Sequence, residues 1–276
     1  MIELNFLFWF FLAGIIVAVF QDLKRREVDN WLTLFLLIGG LVYILFLGVI
    51  GNDYSIIVRA GFLLLILIVL HNLFYYGHVF AGGDAKLLLA LTALFVGANY
   101  YESIINLGLF ILFLMLAGSV YGIVYSLVLY IRYYGNVNRE IRNEFRKWKF
   151  KYYLLTGVLL GALGFLNFYF FILAFFIISL PPVFAFARGL EKVSMIKNIS
   201  GKQLREGDWL AHDVRVGKKI VKANWDGLSK KDIELMKNLK KVTIKEGIPF
   251  VPAFLIGFIF YSFFRGWFLK VLFGFG

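Results

Sequence analysis

The chain has 276 residues, carries 29 Lys and Arg against 17 Asp and Glu, and has a mean hydropathy of +0.80. Apolar side chains make up 61% of it, against about 45–50% in soluble domains, which excludes an ordinary water-soluble domain and points to an integral membrane protein. The absence of cysteine excludes disulfides, thiol catalysis and cysteine-based zinc sites, and His71, His78 and His212 have no ligand-like spacing, so neither a metal nor a cofactor is expected.

In chain order, apolar runs fall at residues 5–20, 31–50, 55–77, 85–99, 103–131, 151–187 and 249–272. The first lacks a basic leader and an obvious small-residue cleavage site, and reads as a retained span. Only Glu3 precedes it, whereas Lys24, Arg25 and Arg26 follow it, which places 21–30 on the cytoplasmic side. Alternation then puts 51–54 outside, 78–84 inside and 100–102 outside. Asp53 and Glu102 fall on the outer side, away from any cytoplasmic chemistry, and Arg59 near the outer end of the third run reads as an interface anchor. The loop RYYGNVNREIRNEFRKWKF (132–150), with Arg139, Arg142, Arg146 and Lys149, is again inside. It marks topology and is suited to anionic lipid headgroups.

The run 151–187 as one helix would be about 55 Å long, far beyond a hydrocarbon core of about 30 Å. Two spans turning near Gly164–Asn167 and ending at Pro181–Pro182 or just after fit better, for about eight spans in all, within a range of about six to eight. Residues 188–248 read as a small α+β module. DVRVGKKIVKA suggests a hairpin turning at Gly217–Lys218. LSKKDIELMKNLKK suggests a helix capped by Ser229 with Ile233, Met236 and Leu239 on one face, and KVTIKEGIPF a returning strand.

The expected organisation is thus an α-helical polytopic membrane domain over 1–187, a small cytoplasmic domain over 188–248 and a C-terminal transmembrane helix over 249–276. Residues 1–131 hold five Lys/Arg and seven Asp/Glu, and residues 132–276 hold 24 and ten. This basic excess marks a cytoplasmic membrane face; no nucleic-acid-binding pattern accompanies it.

Two acids sit at one membrane lip: Asp22 directly after the first span, Asp84 directly before the fourth. Each alone has a plainer role, Asp22 as a charged stop beside Lys24–Arg26 and Asp84 as a helix cap. Held together, two carboxylates share a proton, so that one acts as general base on a water while the other polarises a carbonyl. Gly82 and Gly83 supply dihedrals closed to other residues and a close approach for a substrate backbone. Lys86 is expected to snorkel to the interface or to contact lipid or backbone, in support of the motif. His78 beside the motif reads as incidental, and Glu27 and Asp29 as solvated loop charges that could attract a basic peptide.

AGGDAK (81–86) resembles the GxGDxK motif of type IV prepilin peptidases and archaeal preflagellin peptidases, with Ala81 in place of the first glycine. QDLKRREVDNWLT (21–33) is similar to the family's other catalytic segment, and EGIPFVPAFLIGF (246–258) to the last span of the archaeal branch. The bacterial cysteine-bearing segment is missing, and the bacterial N-methylation is not carried over. The resemblance implies a membrane aspartic endopeptidase that removes short basic leader peptides from pilin-like or archaellin-like precursors at the cytoplasmic face of the plasma membrane. It implies catalysis by Asp22 and Asp84, with Gly83 as the motif glycine, and no metal or cofactor. Membrane lipid and the precursor are the implied partners. The alternatives are an intramembrane protease of the presenilin or signal-peptide-peptidase type, a transporter or channel with an acidic ion site, and a non-catalytic assembly factor.

Overall fold

The computed structural model describes residues 6–77, 80, 82–147, 150–217 and 219–273. Glu3, His78, Ala81, Lys149 and Lys218, each singled out above, lie outside the described residues. Among the described residues six helices are long and apolar enough to cross a bilayer, which makes this a multi-pass membrane protein. The chain divides into two compact units, residues 1–123 with 249–276, and residues 124–248.

The first unit contains α1 (Phe6–Arg25), α2 (Asn30–Ile50), α3 (Ser55–Tyr76), the short α4 (Gly82–Ala90), most of α5 (Tyr100–Arg132) and α10 (Val251–Phe273). Its core is built from large side chains with no solvent exposure, among them Phe11, Ile15, Leu36, Leu63, Phe95, Phe110, Phe254 and Phe258. In lipid there is little hydrophobic drive between helices, so close packing at small residues matters more. Gly40 shows this: a Cβ there would lie 2.9 Å from both Phe11 and Ala93.

The fourth apolar run differs from its expectation. It is not one helix over 85–99 but the nine-residue α4, followed by a 3-10 turn at Thr92–Phe95 and an irregular stretch before α5. It still traverses the unit. Phe80, just before it, packs on Phe250 and Phe254 at the start of α10, with ring centroids 5.5 and 6.2 Å apart. Glu102, just after it, pairs with Arg265 at 2.7 Å, fourteen residues further along α10, or about 21 Å. An interrupted helix at membrane depth is tolerated where protein covers it and its backbone is satisfied. Here Ala90–Ala93 and Phe95 are buried. Asn106 donates to the Phe95 carbonyl at 3.3 Å, Ser103 Oγ accepts from Gly97 N–H at 2.9 Å, and Glu102 accepts from Ala98 N–H at 2.9 Å.

Arg59 is largely buried. It donates to Ser55 Oγ at 2.6 Å and to Asp53 at 3.3 Å.

The second unit contains the end of α5, α6 (Tyr134–Lys147), α7 (Phe150–Leu163) and α8 (Tyr169–Leu190). The break between α7 and α8 falls at 164–168, as the length argument requires. Pro181 and Pro182 do not end α8; they lie inside it, and the helix runs on to Leu190. Proline lacks the N–H that bonds back to residue i−4; this helix packs closely on α7, where a Cβ on Gly157 would overlap Ile178.

Beyond α8, a π-helical turn at Glu191–Met195 leads to β1 (Ile196–Ile199), β2 (Trp209–Leu210), β3 (Val214–Val216), β4 (Lys219–Val221), α9 (Lys230–Met236) and β5 (Val242–Lys245). The sheet order is β1-β5-β2, antiparallel, with Ile196 opposite Lys245 and Trp209 also opposite Lys245. β3 and β4 form the expected hairpin, closing with Val216 opposite Lys219. Ser229 caps α9 in a reciprocal box with Asp232. Met236, Ile233 and Leu239 join Leu204, Leu210, Val242 and Ile244 in a separate small core.

Candidate active site

Asp22 occupies the last turn of α1 and is 5% exposed. The helix stops because Arg26 takes φ 60°, a left-handed conformation uncommon for a non-glycine residue, and its N–H closes on the Asp22 carbonyl at 2.8 Å. The chain then reverses over Glu27–Asp29 into α2. Gln21 Oε1 accepts the Asp29 N–H at 2.9 Å. The Asp29 carboxylate accepts from Arg25 at 2.6 Å and from the Trp31 indole at 3.1 Å. Asp29 therefore clips the turn rather than standing as a solvated loop charge, while Glu27 is exposed.

The Asp22 side chain reaches another part of the chain. Its Oδ2 accepts the Val251 N–H at 3.0 Å. Val251 opens α10, whose first N–H groups have no partner within the helix and whose dipole is positive at that end. The end of α1 is the negative end of its own helix, so the start of α10 supplies the complementary field. This partner, 229 residues away in sequence, was not among the sequence-derived site residues. The only hint was the Pro249 and Pro252 pair, typical of a helix start.

Asp84 is the third residue of α4, half-buried, and inside the first turn rather than capping it. The following Ala85, Leu87 and Leu88 are buried, and α4 packs on α2 and α3. Gly82 and Gly83 do not use dihedrals closed to other residues. Both are helical, and neither has positive φ. What they present is bare backbone: a Cβ on Gly83 would sit 3.7 Å from the Val28 nitrogen, and one on Gly82 3.5 Å from the Tyr75 ring.

Lys86 is exposed. Its Nζ donates to Asn30 Oδ1 at 2.8 Å, joining α4 to the first residue of α2. Gly83 against Val28, Lys86 on Asn30, Asp22 on Val251 and Phe80 on Phe250 therefore bring three chain segments to one end of this unit. They are the α1–α2 turn, the stretch leading into α4, and the start of α10. Among the described residues no three His, Cys, Asp or Glu side chains cluster as metal ligands.

Residues 9–127 match the type IV leader peptidase family. Over these residues the chain is similar to that family. The match to this peptidase family takes in Asp22, Asp84 and all of α2, α3 and α4. A preflagellin peptidase of Methanococcus maripaludis is 30% identical over 81 residues, 29% of this chain and 35% of that protein. The chain thus matches about a third of the length of this leader-peptidase relative. No solved structure matches.

Proposed function

We propose that this protein is a membrane aspartic endopeptidase that cleaves short basic leader peptides from pilin-like or archaellin-like precursors, with Asp22 and Asp84 as its catalytic pair. The observation that carries the reading is the convergence just described: the two segments bearing these acids and the N-terminus of α10 meet through Asp22–Val251, Gly83–Val28 and Phe80–Phe250. The leader-peptidase match over 9–127 and the preflagellin peptidase likeness support it.

In the proposed reaction one carboxylate takes a proton from a water as that water attacks the scissile carbonyl carbon. The other, protonated, hydrogen-bonds the carbonyl oxygen and stabilises its developing charge. The tetrahedral intermediate collapses as the C–N bond breaks, and a proton passes to the leaving amine. The pair returns to its singly protonated state, and the two acids act as a unit. The Val251 N–H holds Asp22 in one orientation. The backbone of Gly82–Gly83 leaves room for an extended substrate beside Asp84. Lys86 positions α4 through Asn30. Glu27, exposed in the turn after Asp22, is the acid placed to meet a basic leader; Asp29 shapes the turn.

The finer topology belongs to the same proposal. The broken segment 82–99 and the 14-residue α7 add to the six long helices to make eight crossings. The site and the 188–248 module face the cytoplasm of a plasma-membrane protein, following the Lys/Arg distribution.

The deciding experiment is cleavage of a purified basic-leader precursor by the purified protein in detergent, with mass spectrometry locating the cut. A single cut after the basic leader, lost on Asp22→Asn or Asp84→Asn, is expected. Cleavage within a transmembrane segment would indicate an intramembrane protease instead, and no cleavage a transporter or assembly factor.

A further inference from the structure

The helix α6 carries Arg139, Arg142 and Arg146 at i, i+3 and i+7, which places all three on one face. All three are exposed. With Tyr134, Asn138 and Asn143 they line an open groove of about 540 Å³. Neither acid of α6 offsets them. Glu144 is held by Lys192 at 2.6 Å and Lys147 at 3.1 Å, and Glu140 lies 3.6 Å from Lys192. Among the described residues no carboxylate pairs with any of the three guanidinium groups.

The groove is held rigidly from behind. Val137 is fully buried, and at Gly189 of α8 a Cβ would lie 2.8 Å from Ile141. Tyr130 Oη donates to Asn138 at 3.1 Å, folding the end of α5 back onto the first turns of α6. A single residue, Tyr133, separates α6 from the apolar α5, and the apolar α7 begins at Phe150. A strongly amphipathic helix between two apolar helices lies at the membrane–water boundary, where lipid phosphates are. Three arginines rather than lysines favour a phosphate, because each planar guanidinium can donate two parallel hydrogen bonds to its oxygens.

We propose that the Arg139–Arg142–Arg146 face of α6 is a binding site for the phosphate oxyanion of an anionic phospholipid headgroup. The site does not depend on the cleavage reading, and its test does not use cleavage. Each cation near an anionic surface is worth about a five-fold change in affinity, so the three together are worth on the order of one hundred-fold.

The test is native mass spectrometry of the full chain in neutral detergent, titrated with phosphatidylglycerol, with phosphatidylcholine and with inorganic phosphate. The unaltered protein should retain phosphatidylglycerol in preference to phosphatidylcholine. R139Q/R142Q/R146Q should lose that preference, while K222Q/K237Q/K240Q, which removes the same charge elsewhere, should keep it. R139K/R142K/R146K keeps the charge and should bind several-fold more weakly. If the glutamine triple does not fold, R142Q alone should weaken retention by about five-fold. The proposal is overturned if R142Q or the glutamine triple retains the lipid as well as the unaltered protein. It is overturned equally if the lysine control loses retention to the same degree, or if inorganic phosphate alone occupies the site while phosphatidylglycerol is retained no better than phosphatidylcholine.

Discussion

Asp22 Oδ2 accepts the backbone N–H of Val251 at 3.0 Å, joining the end of α1 to the start of α10. A buried acid at the negative end of its own helix is thereby held by the positive end of another. The C-terminal helix thus takes part in the geometry of the candidate site.

If Asp22 and Asp84 are the catalytic pair, Asp22→Asn and Asp84→Asn should each lower precursor cleavage by about 10³-fold or more, since each removes an acid–base partner. Asparagine at position 22 keeps an oxygen for the Val251 N–H, so folding and insertion should persist. Turnover of a purified precursor, together with size-exclusion elution and thermal melting of each variant, checks this. Full activity in either variant would remove that residue from the mechanism.

Val251→Pro removes the N–H that Asp22 accepts while leaving the helix start intact, because proline is tolerated in the first turn. A hydrogen bond to a charged group is worth about 1.5–3 kcal/mol, so kcat should fall roughly ten- to a hundred-fold with KM little changed. Steady-state kinetics separates this from a folding defect, which would reduce the active fraction without altering the kinetics of the remainder.

Lys86→Met and Asn30→Ala each break the 2.8 Å bond between α4 and α2. Each should cost several-fold in cleavage rate, and the double variant should cost little more than either single one, because both remove the same contact. Strict additivity in the double-mutant cycle would show that Lys86 acts without Asn30.

Glu144 offers a pH test outside the membrane-spanning segments. The Lys192 ammonium, and after it Lys147, hold its carboxyl below the ordinary value of 4.5. A carboxyl whose folded value is depressed stabilises the fold above its unfolded value, and that contribution is lost as pH falls through the folded value. Melting temperature should therefore drop on acidification below about pH 4.5 in the unaltered protein. Glu144→Gln should start lower at neutral pH by about 1–2 kcal/mol, discounted because both lysines are partly solvated, and should lose less on acidification.

Much of this protein was legible in the sequence because membrane solvent imposes local rules. Apolar run length gave α1, α2, α3, α5 and α10, and the excess length of 151–187 gave the break before α8. The capping pattern at Ser229–Asp232 gave the start of α9. Asp22 and Asp84 stood out because charged residues at the lips of apolar runs are few. Spacing does not show the backbone of Gly82 and Gly83: both are helical and neither has positive φ.

By itself the sequence determined the long apolar helices, the two acids and the motif pattern around them, since each depends on composition or spacing within a few residues. The tertiary structure alone decided that Val251 holds Asp22, that Lys86 reaches Asn30, and that the run at 85–99 breaks into α4 and a 3-10 turn. Hydropathy reports how apolar a segment is, not which distant N–H, carbonyl or side chain will satisfy its backbone. Those partners exist only once helices far apart in sequence have packed.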